Sequence, residues 1–450
     1  MSPDDYILKA ISIMISLMIL PFAYLLKIKC KSWVAPSVVF TLFWFLLTFL
    51  PLVVMFSVPS NPFAMVYIFA CLLAFSMPSL LTTWTPKNTK NEQKSTVSAD
   101  IYNSSFLTIS FYSMQIVVVL CIFINLSIQG YSPYDFLTDL TGTAYRYLND
   151  RYSGNIEANF FSRTGTLLNY TANCIGGLII ARKTNPKKLL VFLFSFVPAC
   201  LYMVVYADKG TLFQCAAFFY SGVLVARISS GDFSLTNKKT NRVIFFSLIC
   251  LLPILILSFL ARGIGGGTTE ETIDKLLYYF SSYAFGHFYA FSDWFSSVYS
   301  GYSIAHFVDS GENTYGLYTF MALFKALGST AFIPEGYYDE YYNFNNIIQS
   351  NIYTMFRGTI TDFSAFGALT YFLLSGLFFN AGYISMLKNA RPIFSPAIYM
   401  CFIAYTYSSF LISIMTWNSI FAVFILVSLL LWINRVAYGK RLVLRSTQTH

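Results

Sequence analysis

Charged side chains are scarce in this sequence. Only 11% of its 450 residues are Asp, Glu, Lys or Arg, against about a quarter in soluble domains, and 56% are hydrophobic. With mean hydropathy at +0.60, such a chain has too little polar surface to cover itself in water, so a soluble fold is excluded and lipid is the predicted solvent. Histidine is scarcer still, with three in the chain. No CxxC pair or Cys/His cluster occurs, which excludes the usual zinc sites. The eight cysteines fall in apolar stretches or beside basic loops, which excludes a disulfide framework. A basic leader with a small-residue cleavage site is also missing, since Met1–Asp5 is acidic; the first apolar run is expected to be retained as a helix. Internal repeats and inverted hydropathy symmetry are absent, which disfavours a secondary transporter.

What the chain does have is apolar runs of membrane-crossing length, about 20 residues each. Eleven are read, at 6–26, 34–56, 64–84, 105–127, 161–181, 189–207, 211–229, 243–261, 365–387, 394–414 and 418–434. The loops between them alternate in charge. One set holds 20 of the 29 basic residues and three of the 20 acids (Glu92, Asp100, Asp232), netting +17, while the other side nets −8. The positive-inside rule places the basic loops and the C-terminus in the cytoplasm and the N-terminus outside. The overall +9 is thereby a topology signal, and nucleic acid is not an expected partner. The fold class expected is all-α, a single polytopic membrane bundle over 1–450 of about eleven helices. Two outside loops are long, 128–160 and 262–364. The second is crowded with Tyr and Phe, as suits the membrane–water interface, and helices are predicted over 272–298 and 315–328.

Ionisable groups near span ends usually face polar cavities. On the outside face these are Arg146, Arg151, Arg163, Lys209, Arg262, Lys275, Lys325 and Arg357, with Lys9 near the first span. Several cations on an otherwise acidic exterior suit an anionic ligand at the membrane surface, and Arg suits a bidentate phosphate contact. Each also has a plainer reading. Arg146 and Arg151 flank Asp150 and make a natural ion pair, Lys209 follows Asp208 at a short turn, and Arg262 opens a flexible RGIGGG run. Arg357 and Asp362, five apart, diverge if the stretch is helical. His287, six residues before Asp293 in an aromatic stretch, is either a hydrogen-bonded structural histidine or a general base. Tyr338–Asp339–Glu340 reads as a solvated acidic patch. The first outside loop holds no DxD or ExD pair for a divalent metal.

The order of these features resembles the Wzy-type oligosaccharide repeat-unit polymerases of bacterial O-antigen and capsule synthesis. The motif NIYTMFRGTITDFSAFGALTYFLLSG at 351–376 is similar to the segment closing that family's large periplasmic loop. YRYLNDRYSGN (145–155) is similar to its Tyr/Arg-rich first loop, GHFYAFSDWF (286–295) stands where its small-residue and aromatic–polar motif stands, and YADKGTLF (206–213) carries Lys209 where the family has arginine. The resemblance implies a glycosyltransferase-C-like bundle in the bacterial inner membrane. It also implies a metal-independent transferase without a cofactor. Its substrates would be undecaprenyl-pyrophosphate-linked glycans in a lipid bilayer, with a chain-length regulator and a flippase as partners. On that pattern Arg262 and Arg357 bind pyrophosphate, Arg146, Arg151, Arg163 and Lys209 assist substrate binding, and His287, Asp293 or Asp362 is the base. An O-antigen ligase or a lipid-linked oligosaccharide flippase is the alternative.

Overall fold

The computed structural model describes residues 3–82, 102, 104–181, 187–206, 208–238, 241, 252–253, 255–256, 259, 268–301, 307, 313–330, 338–389 and 391–447. The described chain is helical almost throughout. In a bilayer this is what the backbone demands, because no water is present to satisfy N–H and C=O groups outside regular structure. Among the described residues, eight helices are long and apolar enough to cross a membrane. They are α1 (Pro3–Cys30), α2 (Pro36–Val54), α3 (Pro62–Leu81), α4 (Ser105–Ile128), and, further along, Lys188–Val205, Lys209–Ser229, Thr354–Lys388 and Asn418–Ala437. This is an all-α, membrane-embedded architecture.

Three of the eleven expected runs do not add to the eight. Run 161–181 is a helix of span length, but its polar residues Arg163, Asn169 and Asn173 lower its hydropathy. Run 243–261 lies largely outside the described residues. Run 394–414 stops at Ser408, where the hydroxyls of Ser408 and Ser409 turn back onto the carbonyls of Tyr405 and Thr406. There Ser409 O accepts from Met355 N, so the broken backbone is satisfied inside protein.

The helix starts are set by local chemistry. Between α4 and the rest lie two short helices, α5 (Pro133–Thr138) and α6 (Leu140–Tyr152), followed by α7 (Phe160–Ile180), α8 (Lys188–Val205) and α9 (Lys209–Ser229). Ser132 and Asp135 form a capping box on α5, and Asn159 and Asp208 accept the first free N–H groups of α7 and α9. The described chain continues with α10 (Thr269–Ser300), α11 (Leu317–Ala326), a hairpin of β1 (Tyr342–Phe344) and β2 (Ile348–Ser350), α12 (Thr354–Lys388), α13 (Phe394–Ser408) and α14 (Asn418–Thr447). The hairpin pairs Tyr342 with Ser350, and Asn345 and Asn346 supply the positive φ its tight turn requires. Helices α10 and α11 fall on the predicted 272–298 and 315–328.

The chain divides into two compact units. The first comprises Met1–Lys87, Leu277–Ile384 and Tyr405–Ile420. Its core is aromatic. Phe40 meets Phe75 with centroids 4.5 Å apart, and Trp44 meets Phe356 at 4.6 Å. Helices α3 and α12 touch backbone to backbone at Gly376, where a Cβ would come within 1.9 Å of Phe75 O. The second unit comprises Asn88–Leu276, Ser385–Ala404 and Phe421–His450. Here α7 and α9 make a similar approach. A Cβ on Gly177 would lie 2.0 Å from Phe219 O, and one on Gly222 2.2 Å from Cys174 O. Small residues at such crossings let membrane helices gain van der Waals contact.

Candidate functional site

The first unit holds most of the buried charge. Helix α12 is not continuous: Ser364 has φ 64 and ψ 174, so a helical piece carrying Arg357 and Asp362 precedes the break and the apolar length follows it. Thr354, at the other end of that piece, also has positive φ (65°). Both are costly conformations for residues with a Cβ, and such costs gather at functional sites.

Arg357 is 1% exposed. Its guanidinium carbon lies 3.8 Å from the Tyr338 ring centroid, 4.4 Å from Tyr353, and 5.4 Å from both Trp294 and Phe307. Four rings thus box one cation. Nη2 donates to Glu340 at 3.3 and 3.5 Å, and the Glu340 side chain keeps 16% exposure. Glu340 is therefore not the solvated acid its tyrosine-rich setting suggested. Tyr353 fixes the backbone here by donating its hydroxyl to Glu340 O at 3.0 Å. Asp293 is buried on α10 beside Trp294, and its charge reaches the phenols of Tyr342 and Tyr353. Burial raises both phenols well above the usual tyrosine value, so they stay neutral hydroxyls. The result is a dry box holding one guanidinium, with two carboxylates nearby.

The remaining expected residues of this unit have other duties. Asp362 is fully buried, and both its oxygens are engaged: Oδ1 accepts from Thr314 Oγ1 (2.6 Å) and Tyr318 N (3.0 Å), and Oδ2 from Thr319 N (2.7 Å). It caps α11, a helix N-terminus that favours a negative charge. Arg357 and Asp362 do diverge, as their spacing implied. His287 is 1% exposed, its Nε2 lies 3.2 Å from Leu47 O on α2, and its ring packs edge-on against Phe410. With Nε2 as donor the imidazole is neutral, and among the described residues Nδ1 has no hydrogen-bond partner. Burial lowers its pKa to about 4. Lys9 is fully buried and donates to Met55 O (3.1 Å), Val58 O (2.7 Å) and Tyr289 OH (2.6 Å). It completes the C-terminal end of α2, where carbonyls lack intrahelical partners and a cation is favoured.

In the second unit Arg146, Arg151 and Arg163 are exposed, while Arg227 is buried and paired with Asp232 at 2.8 Å. Arg146 is 3.8 Å from Asp135, with its side chain 59% exposed, and lies over the Tyr131 ring. Asp150, its expected partner, instead accepts from Tyr131. Lys209 stands over the Phe259 ring, and Asp208 caps α9 through Thr211. Arg262 lies outside the described residues. Among the described residues, no group of three or more His, Cys, Asp or Glu is placed to hold a metal ion.

Sequence reasoning singled out Arg357 and Asp293 but missed Glu340 and the enclosing rings. The one available signal was that a cation in an apolar setting demands an acid, and YYDEYYNF supplies the acids nearest to it on the N-terminal side.

Comparison with family models, curated proteins and solved structures returned no match for this chain.

Proposed function

We propose that this membrane protein polymerises oligosaccharide repeat units carried on undecaprenyl pyrophosphate. The observation that carries the reading is the guanidinium of Arg357, boxed by buried rings and paired with the Glu340 carboxylate. It lies within the 351–376 stretch that resembles the polymerase motif and just ahead of a membrane span. In the reaction, a hydroxyl of the incoming lipid-linked unit attacks the anomeric carbon of the growing glycan. The glycan–pyrophosphate C–O bond breaks, the acceptor proton passes to a base, and undecaprenyl pyrophosphate leaves. A cation that meets the developing pyrophosphate charge accelerates this step. Arg357 fills that role in the proposal, with Arg262 as the second cation named from the sequence. Asp293, beside the box, is the preferred base. His287 is second, being bound to a backbone carbonyl, and Asp362 is set aside as a cap. The finer topology belongs to the same proposal: eleven spans, N-terminus periplasmic, C-terminus cytoplasmic, a glycosyltransferase-C-like bundle in the bacterial inner membrane, and activity that survives EDTA.

The test is deletion of the gene followed by gel analysis of the surface glycan. The expected result is single repeat units in place of long chains. Loss of all glycan from lipid A would assign a ligase instead, and a block in export would assign a flippase.

A further inference from the structure

From the surroundings of Asp362 we infer that the first unit holds a monovalent alkali cation, sodium, in a buried nest of hydroxyl groups at the break in α12. The nest starts from an incompletely compensated charge. Asp362 is fully buried, and a carboxylate in so dry a place calls for a cation or a full set of donors. It has three donors: Thr314 Oγ1 and Tyr318 N on Oδ1, and Thr319 N on Oδ2. A carboxylate offers about four acceptor sites, so Oδ2 keeps one. No Lys or Arg among the described residues forms an ion pair with it. The second observation is a set of hydroxyls without bonds. Thr319 Oγ1, Tyr371 OH and Tyr405 OH are buried and have no hydrogen-bond partner among the described residues. They lie close to the charge. Thr319 is the residue whose N–H reaches Oδ2. The Asp362 charge also acts on the Tyr371 phenol, whose hydroxyl stands near those of Tyr405, Ser375 and Ser413. Rings hold these positions: Tyr371 packs against Phe320 and Phe363 with centroids 5.9 and 6.1 Å apart, and Tyr405 against Phe379 at 5.0 Å. Polar oxygens left unbonded in a dry interior are costly. One hard cation takes oxygen ligands and cancels the carboxylate charge in the same place. A divalent ion does not suit the nest, because a single carboxylate among neutral hydroxyls would leave net positive charge buried. Asp362 precedes the Ser364 break and Tyr371 follows it, while Thr319 belongs to α11 and Tyr405 to α13. The ion therefore sits at the pivot of α12, on the helical piece that also carries Arg357. The inference does not depend on the polymerase reading.

The test is thermal melting of the purified full chain in detergent, in sodium, potassium or choline chloride at equal ionic strength. Sodium is expected to raise the midpoint saturably, by about 3 °C or more over choline. The double variant Tyr371→Phe/Tyr405→Phe deletes two of the oxygens and keeps both rings. A merely structural role for these residues leaves the sodium shift unchanged in that variant, since the hydroxyls removed make no bond. The cation site predicts that most of the shift is lost. Thr319→Val is read the same way and decides the matter if the double variant does not purify. A potassium shift as large as that of sodium keeps the site and assigns it to alkali cations without selection by size. No shift over choline from either ion overturns the inference and leaves water as the partner of the hydroxyls. So does a shift that the oxygen-deleting variants keep in full, which would place the ion elsewhere in the chain.

Discussion

The two compact units bury polarity in different proportions. In the first, full charges go inside and each meets a built counterpart: Arg357 has Glu340 and a ring box, Lys9 has two carbonyls and a phenol, and Asp362 has a helix N-terminus. In the second, the cations Arg146, Arg151 and Arg163 stay exposed, Arg227 is buried where it pairs with Asp232 at 2.8 Å, and much of the other interior polarity is neutral. Gln115, Asn169, Asn173 and Gln214 are buried there, each with at least one side-chain atom that has no hydrogen-bond partner among the described residues. The difference separates two meanings of a basic residue in a membrane protein. At the surface it reports which side of the bilayer a loop lies on; enclosed, it reports chemistry or a structural joint.

The sharpest way to break this comparison is to truncate one cation of each kind. Arg357→Ala is expected to abolish long glycan chains and to lower stability by about 3 kcal/mol, because it removes one member of a largely buried ion pair. Arg146→Ala and Arg151→Ala are expected within about 0.5 kcal/mol of wild type, with normal chain lengths. Glycan gels with immunoblotted protein levels decide it, and comparable defects from all three would erase the distinction.

A second experiment asks whether the second unit is held by packing rather than by charge. Gly177→Val drives a side chain into the Phe219 carbonyl and is expected to cost about 2–3 kcal/mol or more, seen as loss of the folded species in fluorescence-detected size-exclusion chromatography. Unchanged behaviour would mean that the α7–α9 crossing is not close.

Acid gives a third handle, confined to the first unit. His287 titrates near 4 when folded but near 6.5 when unfolded. The unfolded chain therefore takes up the proton first as pH falls, so stability is retained above pH 6.5 and lost progressively below it. The expected loss is about 2 kcal/mol at pH 5. Thermal melts of wild type and His287→Gln between pH 5 and 7.5 should show the acid dependence reduced in the variant; equal slopes would remove His287 as its source.

The smallest expected effect concerns the neutral interior. Among the described residues neither Gln115 Nε2 nor Oε1 has a hydrogen-bond partner, so Gln115→Met deletes polar atoms that make no bond there. The melting free energy is expected to stay within about 0.5 kcal/mol or to rise. A clear drop would reveal bonds to ordered water instead.

Much of this architecture was legible in the sequence because a membrane reads the chain by composition. Apolar length alone located most spans, and the start of the run at 365 falls directly after the Ser364 break. The turn at Ser408 was not legible, since it depends on two hydroxyls and on Met355 from a distant helix, while the apolar run continues past it. Nor was the partner of Arg357. Glu340 lies 17 residues away across a hairpin, and no local pattern connects them. Tyrosines on both sides made that acid look wet, whereas in the fold they are the walls that keep it largely dry. Asp362 shows a further limit: its place in the 351–376 motif just before a span drew a catalytic reading, but its role depends on where α11 begins.

The break at Ser364 bears on how the protein meets membranes of different thickness. Unbroken, α12's 35 residues would span about 52 Å, well beyond a hydrocarbon core of about 30 Å. Divided at Ser364, the length after the break is about 36 Å, a fit that needs only modest tilt. A thicker or thinner bilayer is met by changing that tilt, at fractions of a kcal/mol per Å. The segment bearing Arg357 hangs from the far side of the joint and is tied by Glu340 to the stretch just before β1 rather than to the axis of the span. Lipid composition is thereby uncoupled from the aim of the guanidinium.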